Sequence, residues 1–141
     1  MKRILFVLIL SVVVASIAPT LATSAPSGRP FLEMGVCNHA SDNTFYVNAD
    51  WGNQTPGAGD LTITITFKGP MVGTQTYVTT IAGPIAAEDL VNAIYVPQFS
   101  GTNGPIAWNS WSSVTISSTG AFTDESKALK EPHGGWGICT F

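Results

Sequence analysis

Residues 61–67 alternate without interruption between large apolar side chains and threonine, in the order Leu, Thr, Ile, Thr, Ile, Thr, Phe. A β-strand turns successive side chains to opposite faces of its sheet, so a two-residue period predicts a strand with one buried face and one solvent-facing face. Isoleucine and threonine are also enriched in strands. The segment therefore predicts a half-buried β-strand, and the chain must supply a second layer that covers its apolar face.

Other segments show the same period. Residues 44–51 place four apolar side chains on one face, and these are Phe45, Val47, Ala49 and Trp51. Residues 74–81 follow the 61–67 strand after a turn with glycine and proline, which predicts a hairpin. Further strands are predicted at 93–99, 106–111, 113–117 and 136–141. The polar stretch 123–131 predicts a solvated loop, and residues 85–93, after Pro84, predict one short helix.

Seven or eight short strands, at most one short helix and no alternation of strands with helices predict an all-β fold. We expect an antiparallel β-sandwich of immunoglobulin-like size, and a small closed β-barrel is the alternative. Tryptophans 51 and 136 are expected in its core, because each alternates with other apolar residues.

The amino end has the order of a secretory signal peptide. Lys2 and Arg3 precede an apolar run that ends in small residues at Ala25. We therefore predict a signal peptide at 1–25, a flexible arm at 26–34 and one β-sandwich domain at 35–141. The mature chain is expected to be secreted, extracellular or at the cell surface, with no transmembrane segment, because no later segment is long and apolar enough to span a bilayer.

The chain has two cysteines, Cys37 and Cys139. In an oxidising compartment an even number of cysteines is normally paired, and two cysteines allow one intramolecular pairing. No third ligand or Cys-x-x-Cys spacing supports a metal or redox site. The sequence therefore predicts a disulfide that ties the first strand to the last, with an intermolecular cross-link as the alternative.

Charge and motifs exclude several classes of function. Loss of Lys2 and Arg3 with the signal peptide leaves 4 Lys and Arg against 9 Asp and Glu, a formal charge of −5, which is the wrong sign for a nucleic-acid partner. No nucleophile motif, phosphate-binding glycine loop or convergent carboxylate pair is present, so we predict a protein that is not an enzyme and has no cofactor. The disulfide would bring His39, Asp42 and His133 into one region, but their spacing favours solvated turn residues over a metal site.

Two functions are the main hypotheses, beside membrane insertion through the 61–81 hairpin and inhibition of an extracellular enzyme. Low charge, polar outer faces and a disulfide from end to end are typical of a non-catalytic extracellular domain with a structural or adhesive role, whose partner is another extracellular protein or copies of itself. The alternative is a carbohydrate-binding module that contacts a polysaccharide through Trp108, Asn109 and Trp111, because at least one of two tryptophans three residues apart should be exposed. Asn53, in an Asn-Gln-Thr triplet, is the candidate glycosylation site.

Overall fold

The computed structural model describes residues 28–39, 41–42, 44–55, 57–85, 90–133 and 135–140. The predicted signal peptide lies outside the described residues. The described residues form nine strands and one 3-10 helix, in the order β1 (Phe31–His39), β2 (Thr44–Gly52), β3 (Leu61–Gly69), β4 (Gly73–Ile81), β5 (Leu90–Val96), β6 (Ser100–Gly101), β7 (Gly104–Pro105), the 3-10 helix (Trp108–Ser110), β8 (Ser113–Gly120) and β9 (Glu125–Lys130).

The strands form two open antiparallel sheets that pack face to face. One sheet has the order β1-β2-β5 and the other has the order β4-β3-β8-β9, while β6 and β7 form a small separate hairpin. Neither large sheet closes on itself within the described residues. The protein is therefore an all-β sandwich, as the strand pattern predicts, and the closed barrel is wrong.

The core lies between the inner faces of the two sheets. In β3 the alternation places the four apolar side chains inward with no exposed surface, and these are Leu61, Ile63, Ile65 and Phe67. Trp51 and Trp136 are both buried, which confirms the prediction for them. Trp51 Nε1 donates a hydrogen bond to Ser118 Oγ across the two sheets, at 2.9 Å. The buried indole N–H therefore has the polar partner that it needs in an apolar interior.

The predicted hairpin is confirmed. β3 and β4 pair from Leu61 opposite Ile81 to Gly69 opposite Gly73, so nine consecutive residues of each strand are in register without a bulge. The opposite face of β3 carries its three threonines. Each lies opposite a threonine or serine on β8, and on β4 two of them lie opposite threonine and the third lies opposite Val78. The outer face of the four-stranded sheet is thus polar, with few charges.

Several local predictions are wrong. The flexible arm extends too far, because β1 begins at Phe31 and buries Leu32 and Met34. Of the predicted helix 85–93, residues 86–89 lie outside the described residues, and Leu90 begins β5 instead. The 123–131 loop contains strand β9. No residue of the predicted 106–111 strand is in a strand, because residues 106 and 107 are irregular and the 3-10 helix follows at Trp108–Ser110.

The carboxyl end joins the first strand, as expected, but through a single parallel bridge between Asn38 and Ile138 instead of a full strand. The backbone N–H of Asn38 donates to the Gly137 carbonyl at 2.8 Å, and the N–H of Cys139 donates to the Asn38 carbonyl at 2.9 Å. The predicted disulfide between Cys37 and Cys139 is present, with the Cα atoms 5.2 Å apart. The carboxyl-terminal segment therefore covers part of the outer edge of β1.

Candidate assembly surface

Of the two tryptophans in the carbohydrate hypothesis, Trp111 lies in the core and Trp108 is half-buried near the surface. Trp111 is 2 % exposed, and its ring contacts Phe67 and Phe99 with centroids 5.6 and 5.8 Å away. Its carbonyl accepts a hydrogen bond from Trp136 Nε1 at 2.8 Å. Trp111 is therefore not accessible to a polysaccharide in this conformation. Trp108 is half-buried on the 3-10 helix.

Asn109 is exposed beside Trp108, so these two residues are what remains of the predicted contact set at the surface. Asn53 is half-buried, and its Nδ2 donates to the Arg29 carbonyl at 3.4 Å. The next residue, Gln54, is fully buried and accepts a hydrogen bond from the Thr123 N–H at 3.0 Å. A glycan on Asn53 stays a prediction.

The predicted His39, Asp42 and His133 cluster is not assembled as a metal site. Within the described ranges no group of three or more His, Cys, Asp and Glu residues is placed to hold a metal ion. His39 Nδ1 lies 3.2 Å from Asp42 Oδ1, in the connection between β1 and β2. The Thr44 hydroxyl, at 2.7 Å, and the Thr44 N–H, at 3.0 Å, both donate to Asp42 and lower its pKa below the ordinary value. This carboxylate stabilises a turn.

One lateral side of the sandwich is closed. β1 and β9 end the two sheets there, and Lys127 Nζ on β9 lies 3.2 Å from Glu33 Oε2 on β1. The carboxyl-terminal segment covers part of the β1 edge, and β9 carries Glu125 and Lys130 besides Lys127. Charged side chains and a covering segment are two of the devices by which natural sheets prevent further strand pairing.

On the other lateral side the described residues show none of these devices. Because β1 lies opposite β9, the sheets end on this side with β5 and β4, and within the described part of the chain neither strand is paired on its outer edge. We call these two outer edges the open side. β4 and β5 contain no charged residue and no proline. Val78 on β4 is 57 % exposed, and Val91 and Tyr95 on β5 are also exposed.

β4 projects beyond the facing sheet, since its own sheet has four strands and the other has three. Its inward-facing side chains are only half-buried, whereas the residues opposite them on β3 are fully buried. A groove of about 640 Å³ adjoins the amino end of β4, between the β3–β4 turn and the β6–β7 hairpin. No ionisable residue lines it; its walls include Met71, Gln75 and Asn103. The described residues of β4, β5 and this groove therefore carry no charge.

Sequence reasoning missed the open side, because the position of a strand at an edge depends on the order of strands in a sheet.

Among the described residues no helix is both long and apolar enough to cross a membrane. Comparison with family models, curated proteins and solved structures finds no match to this chain.

Proposed function

We propose that this protein is a secreted, non-catalytic structural domain that assembles at a surface or in a matrix through the open side of its sandwich. The observation that carries the proposal is the contrast between its two lateral sides. The side of β1 and β9 is charged and partly covered, whereas β4 and β5 present unpaired, uncharged strand edges.

Physical chemistry supports an assembly role for such an edge. The outer edge of a terminal strand presents a row of backbone N–H and C=O groups that another strand can pair with. A monomeric protein gains by blocking such an edge, and this chain blocks the opposite one. The internal disulfide and the sparse charge suit a domain that persists outside the cell and contacts copies of itself or another extracellular protein.

The test is the solution mass of the secreted protein, measured by light scattering over a hundredfold range of concentration. We expect a mass above that of one chain that rises with concentration, and no intermolecular disulfide in non-reducing gels, because both cysteines are paired within the chain. The same sample in mass spectrometry locates the cleavage site of the signal peptide.

A protein that stays monomeric at every concentration would contradict the proposal. If that monomer were retained on an insoluble polysaccharide, and if Trp108→Ala abolished retention, the carbohydrate-binding alternative would replace it. The wild type could assemble and also be retained on the polysaccharide. If Trp108→Ala then left this retention unchanged, the structural role would stand.

A further inference from the structure

We infer that the partner of the β4 edge is β4 of a second copy, paired antiparallel about a two-fold axis at Tyr77, so that two four-stranded sheets become one eight-stranded sheet. This inference rests on the proposed function and names the partner and the register. A two-fold contact of this kind is closed, because each copy uses the same surface.

The length of β4 selects one register. Residues directly opposite each other in a sheet lie on the same face, so an inward-facing residue must meet an inward-facing residue. Among the antiparallel registers that satisfy this condition, only the one centred on Tyr77 pairs all nine residues of Gly73–Ile81. A shift to the next allowed register leaves two residues of each strand unpaired.

The side chains of β4 are compatible with this register. On the outer face Thr74 meets Thr80 of the second copy and Thr76 meets Val78. On the inner face Gln75 meets Thr79, and the two Tyr77 side chains meet each other. Pairs of threonine, β-branched and aromatic residues are favourable across strands, and no pair here opposes two charges.

The ends of the pair have room for the side chains that this register brings there. Gly73 has a positive φ of 74°, which the β3–β4 turn requires, and it carries no side chain that would obstruct a second strand. Ile81 of the second copy comes opposite Gly73, where nothing lies within 4 Å of the position that a Cβ atom would take. Met71, in the adjacent turn, is 92 % exposed. Ile81 of the second copy can occupy this open space, and the two-fold axis repeats the arrangement at the other end of the pair.

β4 is a better candidate than β5 for geometric reasons. It pairs nine residues where β5 offers seven, and it projects beyond the three-stranded sheet, so a second β4 can approach without contact between the facing sheets. Association that survives charges on β4 would exclude the β4 edge and leave β5 as the other unpaired edge of the open side.

The experiment is a charge exchange on the outer face of β4. In the proposed register, position 76 of one copy lies opposite position 78 of the other. The double variant Thr76→Lys/Val78→Lys therefore places lysine directly opposite lysine at two places in the dimer. We expect its dissociation constant to rise about tenfold or more, and the same for Thr76→Glu/Val78→Glu. An equimolar mixture of the two variants should recover association, as a heterodimer that added salt weakens.

The matched control is Thr115→Lys/Ser117→Lys on β8. These residues lie on the same face and in the same cross-strand rows, but β8 is flanked by β3 and β9. The control should associate like the wild type, and circular dichroism should show that all variants are folded. If the wild type associates and the β4 charges leave this unchanged, the inference is wrong while the proposed function stands. A monomeric wild type contradicts both.

Discussion

Trp51→Ala is expected to lower the free energy of unfolding by about 3–5 kcal/mol, the usual cost of removing a large aromatic side chain from a core. Trp51 has no exposed surface, and it joins the two sheets through its hydrogen bond to Ser118. The substitution leaves a cavity between the sheets and a buried hydroxyl that loses its partner. Urea denaturation followed by circular dichroism measures the change.

Trp108→Ala is the matched control, because it removes the same side chain from a half-buried position on the 3-10 helix. Its cost should be about 1–2 kcal/mol, since less apolar surface returns to water. Trp51→Phe keeps most of the volume and should lie between the two. Equal losses for Trp51→Ala and Trp108→Ala would contradict the packing described for the core.

Cys37→Ser/Cys139→Ser is expected to cost about 2–5 kcal/mol of unfolding free energy. The disulfide closes a loop with a sequence separation of 102 residues, and a long loop loses much chain entropy when its ends are joined in the unfolded state. The bond also holds the carboxyl-terminal segment against β1, where, among the described residues, the backbones are joined by the single bridge that two hydrogen bonds form.

Reduction of the wild-type disulfide should give the same loss as the double variant, which separates the effect of the bond from the effect of the serines. Release of the carboxyl-terminal segment should also uncover the β1 edge, so the double variant should associate more strongly than the wild type. A double variant that unfolds at the same urea concentration as the wild type would show that the disulfide adds nothing to stability.

The predictions that succeeded came from strong local patterns. β2 and β3 alternate between apolar and polar residues at nearly every position, and only one face of each can be buried, so the period determines both the strand and its inward face. β4 followed from the turn that makes it the return strand of a hairpin. The disulfide followed from the predicted oxidising compartment and from the number of cysteines, because two cysteines have one intramolecular pairing.

The predictions that failed lie where tertiary contacts outweigh local composition. In β9, Leu129 is the only large apolar residue, and pairing with β8 holds the charged segment in the sheet. In β5, burial alternates along residues 90–96, but their sequence is apolar at every position except Asn92 and shows no two-residue period. The acidic residues just before them, at 88 and 89, resemble the start of a helix. Because Pro30 favours an irregular segment, residues 31–34 were assigned to the flexible arm, although Leu32 and Met34 already show the two-residue period of β1.

The candidate surface could not be predicted from the sequence. β4 and β9 both end the same sheet, and nothing in the two-residue period of β4 distinguishes an edge strand from a central one. The tryptophan pair was visible in the sequence, but the 3-10 turn that precedes Trp111 determines which ring is buried. Edges and turns of this kind depend on the whole chain.

The measurement that tests assembly through the open side most directly is amide hydrogen exchange of the wild type at low and high protein concentration. In a single molecule, alternate backbone N–H groups of β4 point away from β3 and exchange with water, and pairing with a second strand protects them. We predict that exchange in β4 slows about tenfold or more as concentration rises, while exchange in β9 is unchanged. Exchange in β4 that is independent of concentration, in a sample shown to be associated, would contradict pairing through this edge.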